Sequence, residues 1–181
     1  MIYIGIDPGA TGALVALFKD GKRPIVWTAP MPPTMPEILK WLKRCNHLGK
    51  EVHAVVERVG GYIRGIDSPG AAMFNFGKGY GSLLMALCAA GVPHEEVNAN
   101  VWQAGLGISP RKKNTKSRVK INSKGRKVVE KYGGESTKDW KNRLKAKAQQ
   151  LFPREKVTLV TADALLIAEY CRRKMTGTLE K

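Results

Sequence analysis

Residues 4–15 read IGIDPGATGALV, and the fold turns on how this stretch is read. Its first half is apolar on both faces, as in a strand buried in the middle of a sheet, and a turn leads into a second strand. Yet the first strand ends on a carboxylate, Asp7, directly before Pro8-Gly9. Turn chemistry accounts for the dipeptide: Pro presets φ, Gly accepts positive φ, and an Asp side chain can bond backbone groups two residues on. A ligand for a metal ion, or a group facing a phosphate, accounts for Asp7 equally well. On this stretch alone the two readings stand level.

Working outward, Ala13–Phe18 and Pro24–Thr28 read as the second and third strands, joined by a turn at Lys19-Asp20-Gly21-Lys22. Pro30–Pro36 is a proline-rich connection. Ile38, Leu39, Trp41, Leu42 and Cys45 then fall at helical spacing, with a stop at Gly49. Val52–Glu57 (VHAVVE) is a further buried strand, and it too ends in a carboxylate. Residues 59–82 are Gly-rich and hold Tyr62, Arg64, Phe74 and Phe76, and a small-residue helix follows over Ser82–Ala90. Val92–Asn98 reads as a fifth strand and Val101–Leu106 as a short helical turn. Arg111–Tyr132 alternates basic and apolar residues around Ser123-Lys124-Gly125, as a basic β-hairpin or a mobile loop would. Lys138–Phe152 is a basic amphipathic helix with Trp140, Leu144, Ala148 and Leu151 on its apolar face, and Thr161–Met175 is an apolar helix with a basic end. This order predicts an α/β fold, a mixed five-stranded sheet flanked by helices. It predicts a single domain over residues 1–181, with a basic hairpin or loop inserted at about 109–136.

The totals narrow the class. A chain of 181 residues suffices for one domain with a real core and is short for two. It holds no apolar run approaching the ~18 residues needed to span a bilayer, which predicts a protein without a membrane partner. The N-terminal residues lack the basic-then-apolar layout of a signal peptide. Cys45, Cys88 and Cys171 are scattered without CxxC spacing, which suits a reducing cytoplasm, bacterial or that of a phage-infected cell, and excludes a disulfide framework or a zinc site. Lys and Arg number 31 against 15 Asp and Glu, a net +16, which calls for a polyanionic partner. Between Arg111 and Lys147 stand 15 basic and three acidic residues, a net +12. A solvated charged face mixes signs, so this stretch reads as a phosphate-binding surface, with a generic basic tail as the bland alternative.

A third acid, Asp163, joins Asp7 and Glu57. Singly each has an innocent reading: Glu57 as the point where a strand reaches water, Asp163 as a complement to a helix N-terminus. If the first and fourth strands are neighbours and the last helix packs beside them, all three meet at one edge of the sheet. Three uncompensated anions at close range repel unless a cation joins them, and hard oxygen ligands suit Mg²⁺ or Mn²⁺. His53, whose side chain alternation puts on the face shared by Val55 and Glu57, reads as packed or partly exposed and not as a ligand.

The motifs IGIDPGATGALV, VVERVGG and TADALLIAEYCRR, in this order and spacing, resemble the RuvC-type Holliday-junction resolvases on the RNase H-like fold, closest to their short phage and bacterial members. The likeness spans nearly the whole chain. The resemblance implies a divalent-metal-dependent, structure-selective endodeoxyribonuclease, a crossover junction phosphodiester hydrolase resolving four-way junctions by paired symmetric nicks. Asp7, Glu57 and Asp163 would hold two ions, Asp7 bridging them, to activate water and steady the leaving 3′-oxygen. A lysine would meet charge developing on the scissile phosphate: Lys141 first, with Lys138 and Lys145 behind it. Members of this family often carry another acid or a histidine three residues before the last aspartate, where this chain has Val160. That departure implies weaker binding of the second ion and a preference for Mn²⁺.

The family also carries a junction-opening loop with an aromatic wedge after the second acid, for which Phe74 and Phe76 are candidates, against the reading that they pack on the following helix. Tyr62, Arg64, Lys78, Arg111, Lys112, Lys113, Lys116, Arg118, Lys120, Lys124, Arg126, Lys127, Lys138 and Lys145 are the expected DNA contacts. A two-fold symmetric junction cut twice favours a homodimer. The rivals are a broad debranching nuclease for flaps and forks, a non-catalytic junction-binding protein, and an actin-like ATPase. The last needs a second such domain and phosphate loop, so no nucleotide cofactor is expected.

Overall fold

In the computed structural model, which describes residues 1–60, 70–121 and 125–179, the chain forms a sheet of five strands in the order β3-β2-β1-β4-β5. These are β1 (Ile2–Asp7), β2 (Ala13–Asp20), β3 (Arg23–Pro30), β4 (Val52–Glu57) and β5 (His94–Val97). The first three run antiparallel as a meander, while β4 lies parallel to β1 and β5 parallel to β4. The expected mixed sheet with flanking helices is what is observed, and the opening stretch supplies its middle strand.

Alternation along β1 builds two cores. Ile2, Ile4 and Ile6 point to a layer formed by α1 (Met35–Asn46) and α2 (Gly70–Ala89), through Ile38, Leu42, Leu83 and Leu87. On the other face, Val15 and Val55 meet α5 (Ala162–Met175), α4 (Thr137–Leu151) and Trp102 of α3 (Ala99–Gly105). Helix α5 is buried from Ala162 to Cys171, as a helix with apolar residues on every side must be, and of its two buried acids Glu169 is paired with Arg172 and Arg173. Gly5 makes its seat possible: a Cβ there would stand 2.2 Å from the Ala168 nitrogen and 2.3 Å from the Ala164 carbonyl oxygen. Any side chain at Gly5 would lift α5 off β1.

One boundary differs widely from expectation. Helix α2 starts at Gly70, twelve residues before the predicted Ser82, so Phe74, Phe76 and Lys78 stand on a helix and not in a loop. Glycine's poor helix propensity hid these turns, which the burial of Leu83, Ala86 and Leu87 on the same helix anchors. Residues 116–121 and 127–132 form the predicted hairpin, β6 and β7, with Val119 opposite Val129. Its described side chains are exposed on both faces.

Candidate active site

The end of β1 and the end of β4 place two carboxylates side by side. Ile6 pairs with Val56 in parallel register, so Asp7 and Glu57 leave the sheet together, on the face that carries Val55 and α5. The turn after Asp7 is tight: a Cβ on Gly12 would stand 1.9 Å from the Asp7 carbonyl oxygen, so only glycine fits. Asp163, in the first turn of α5, is buried at 5 % exposure, and its neighbour Ala164 lies over Gly5, two residues before Asp7.

Lys141, on α4, completes the group. Its Nζ donates to Asp163 Oδ2 as a hydrogen-bonded ion pair. Burial alone would lower the pKa of the ammonium, but Asp163, with Asp7 and Glu57 behind it, more than offsets this and the pKa is raised. Lys141 lies on the side of α4 that carries the buried Leu144 and Ala148, and the helix is capped where it starts: Ser136 Oγ accepts from the Asp139 N–H at 3.1 Å and donates to the Asp139 carboxylate at 2.6 Å. Arg143, one turn short of Lys147, holds Glu135 by two 3.0 Å hydrogen bonds and donates to the Ser109 carbonyl, which ties α4 to the base of the hairpin.

The electrostatics of the cluster are those of anions short of a cation. Burial, then the charges of Asp163 and Glu57, raise the Asp7 carboxyl from its ordinary 3.8 to about 7, with Lys141 pulling the other way. Burial also raises Glu57, while a hydrogen bond from Trp102 restrains it. That bond, indole Nε1–H to Glu57 Oε2 at 3.0 Å, was not anticipated from the sequence. Only the placement of the fully buried Trp102 beneath Glu57 reveals it.

Among the described residues, no three His, Cys, Asp or Glu side chains stand close enough together to hold an ion as they are. The carboxylates interact electrostatically, but Lys141, and no shared centre, supplies the positive charge beside Asp163. Their donor set still suits a hard cation. Asp163 Oδ1 is buried without a hydrogen-bond partner among the described residues, and burial, then the neighbouring anions, raise the Asp7 carboxyl to about 7.

The remaining candidates are distributed as follows. Lys138 is exposed and Lys145 half-buried on α4, neither with a recorded bond to the carboxylates. Val160 is 37 % exposed, and Thr161 beside it is spent on Thr158, accepting from its N–H at 3.1 Å. Arg111 is committed to the Glu135 carbonyl and the Thr137 hydroxyl, so it braces the hairpin base. Lys112, Lys113, Lys116, Arg118, Lys120, Arg126 and Lys127 are exposed, with the Arg118 guanidinium 5.2 Å from the Tyr132 ring centre. Phe74 is 71 % exposed, whereas Phe76 is half-buried beside Gly9 and lines one hollow with Tyr80 and Leu83 of the same helix. Lys78 is exposed on α2, and Tyr62, Arg64 and Lys124 lie outside the described residues. His53 is half-buried, 3.7 Å from Glu95.

No protein-family model and no curated protein matches the chain. Solved structures do. The Thermus thermophilus RuvC structure superposes with a TM-score of 0.56 at 19 % identity, covering 99 % of both chains. T. thermophilus RuvC in complex with a Holliday junction substrate gives 0.56 at 18 % identity over the same shares. At this identity the likeness is one of fold: the sheet and its helices are those of the RNase H-like fold.

Proposed function

We propose that the chain is a divalent-metal-dependent endodeoxyribonuclease that resolves four-way DNA junctions by paired symmetric nicks. The observation that carries this reading is the convergence of Asp7, Glu57 and Asp163, with Lys141, at one edge of an RNase H-like sheet. One of the solved structures sharing this fold is a complex with a Holliday junction.

In this reading Asp7, Glu57 and Asp163 would hold Mg²⁺ or Mn²⁺, two ions per site, which when bound would supply activated water and charge stabilisation at the leaving 3′-oxygen. The chain's own groups do the rest. Trp102 fixes one oxygen of Glu57 by donating to it. Lys141, partly open to solvent, places an ammonium where a scissile phosphate would gather charge. Water attacks phosphorus, the P–O3′ bond breaks, and the products are a 5′-phosphate and a 3′-hydroxyl.

The exposed hairpin cations and Lys112 and Lys113 supply phosphate contacts away from the carboxylates. Pairing two cuts requires two sites, and α2 offers a surface for it. Phe74, Gly77, Gly81, Met85 and Cys88 recur at helical spacing on its outer side, all exposed, and a Cβ on Gly77 or Gly81 would meet nothing. An apolar stripe relieved by glycines suits the close approach of a second copy of the helix. The test is cleavage of a labelled four-way junction beside a 5′ flap, a fork and plain duplex, in Mg²⁺ and in Mn²⁺, with Asp7→Asn as control. Paired symmetric nicks in the junction, lost in Asp7→Asn, are expected. Equal cutting of flaps and forks would make it a general debranching nuclease, and tight binding without cutting would refute the catalytic reading.

A further inference from the structure

A hollow of about 860 Å³ lies at the end of the sheet away from the carboxylates. Met1 and Tyr3 line it where β1 starts, and the other end of β1 is Asp7, roughly 15–20 Å along the strand. The hollow wraps the end of the β2–β3 hairpin. Leu17 and Val26 reach it from the face that carries α5, Phe18 and Ile25 from the face that carries α1. It therefore opens at the margin of the sheet, where β3 is the outermost strand. Pro24 and Pro30 mark the ends of β3. Between them, its outer backbone groups have no strand partner among the described residues.

The floor is apolar and aromatic, from Tyr3, Leu17, Ile25, Val26 and Phe152. Around it stand the exposed Lys19, Arg23 and Arg154, whose side chains have no partner among the described residues. Lys50 is spent on the Lys19 carbonyl, to which its Nζ donates at 3.0 Å. Inside, Glu169 is buried at 6 % exposure and accepts from Nε–H and Nη2–H of Arg172, both at 2.7 Å. That grip orients the Arg172 guanidinium, which also lines the hollow, and leaves its Nη1 group uncommitted. Against these cations, Glu155 is the one lining acid without an ion pair among the described residues.

These features select the occupant. An apolar floor among cations suits a ligand with an apolar centre and carboxylates on either side. An open strand edge beside it suits an extended backbone. Duplex DNA would bring phosphates but nothing to fill the floor. A second copy of the chain, at +16 overall, would set cations against cations.

We propose that this hollow docks an acidic–apolar peptide segment of a partner protein, paired along β3, with its apolar side chains on the floor and its carboxylates against Arg23, Arg154 and Arg172. A partner held there leaves the carboxylate edge uncovered.

The probe is a fluorescein-labelled peptide with a Leu-Phe-Leu centre and a pair of Asp on each side. Its anisotropy is followed at about 0.15 M salt, where exposed charges alone are largely screened. Saturable binding is expected, weakened at least roughly tenfold when Ser replaces the three apolar residues. Protein carrying both Arg23→Glu and Arg154→Glu should lose at least roughly tenfold in affinity. Both positions are exposed, so its melting temperature should match that of the parent. Amide hydrogen exchange over residues 25–29 should slow when the peptide binds, as a strand laid along that edge requires. Affinity indifferent to the apolar residues, or exchange over 25–29 unchanged by bound peptide, overturns the site and leaves charge attraction only. Displacement of the peptide by duplex DNA, lost together with peptide binding in the double variant, would mark a nucleic-acid surface and overturn it too.

Discussion

Replacing Asp7 by asparagine is expected to stabilise the metal-free protein while abolishing its chemistry. Asp7 has an ordinary pKa of 3.8 and is raised to about 7 in the fold, first by burial and then by Asp163 and Glu57. Because the folded pKa lies above the unfolded one, the group is neutral for stability below about pH 4. Between about pH 4 and pH 7 the unfolded chain ionises Asp7 while the folded chain keeps it protonated, so stability falls. Above about pH 7 the cost is constant, and the shift converts to roughly 4 kcal/mol at about 1.36 kcal/mol per pH unit. An asparagine of the same shape carries no such cost. With roughly 2–4 °C of melting temperature per kcal/mol at this chain length, Asp7→Asn should melt several degrees above wild type at pH 8. The gap should narrow at pH 5 and close near pH 4. The assay is thermal unfolding across this range in chelator, repeated with added Mn²⁺, which should raise the wild-type melting temperature more than that of the variant. A variant equal to or less stable than wild type at pH 8, or a gap independent of pH, would refute the account of Asp7 as an anion short of a cation.

Other outcomes follow from the same geometry. Lys141→Met removes the partner of a buried carboxylate. Lys141 is itself 43 % open to water, so the cost should be about 1–3 kcal/mol by denaturant unfolding. Its junction cleavage should fall roughly 10²–10³-fold in single-turnover assays, with affinity retained. Trp102→Phe removes the hydrogen bond that restrains Glu57. The pH–rate profile should therefore move to higher pH, and stability should drop by roughly 1.5–3 kcal/mol in denaturant titrations. Changing Lys112, Lys113 and Lys116 together to Gln should lower the slope of log affinity against log salt by up to about 3, leaving the melting temperature unchanged, as exposed phosphate contacts require.

What the sequence disclosed and what it hid have physical causes. The strands of the middle sheet are short, apolar and bounded by turn residues, so β1 and β4 were legible to the residue, and their terminal acids with them. Asp163 was legible as an acid in the first turn of a helix whose next five residues, Ala164–Ala168, are all apolar, within a motif that carries the resemblance. The lysine expected at the scissile phosphate was Lys141, ahead of Lys138 and Lys145 on the same helix, but its ion pair with Asp163 was not legible, since the phase of a basic helix is weakly marked by its own residues. The buried Leu144 and Ala148 set that phase in the fold, and a Ser136-x-x-Asp139 cap sets where the helix starts. Trp102 was beyond reach, because its bond to Glu57 spans 45 positions and depends on how β5 hands the chain to α3. Helix α2 was misread for a related reason. Its glycines lower local propensity, and what offsets them is not local: one side of the helix is fixed to the α1 layer through Leu83 and Leu87, while Gly77 and Gly81 leave the outer side flat. Residues that weaken their own helix and contact nothing within the chain are better explained by what must approach them from outside. In α2 the outer side, bare at Gly77 and Gly81, is the side that the proposed pairing of two copies would use.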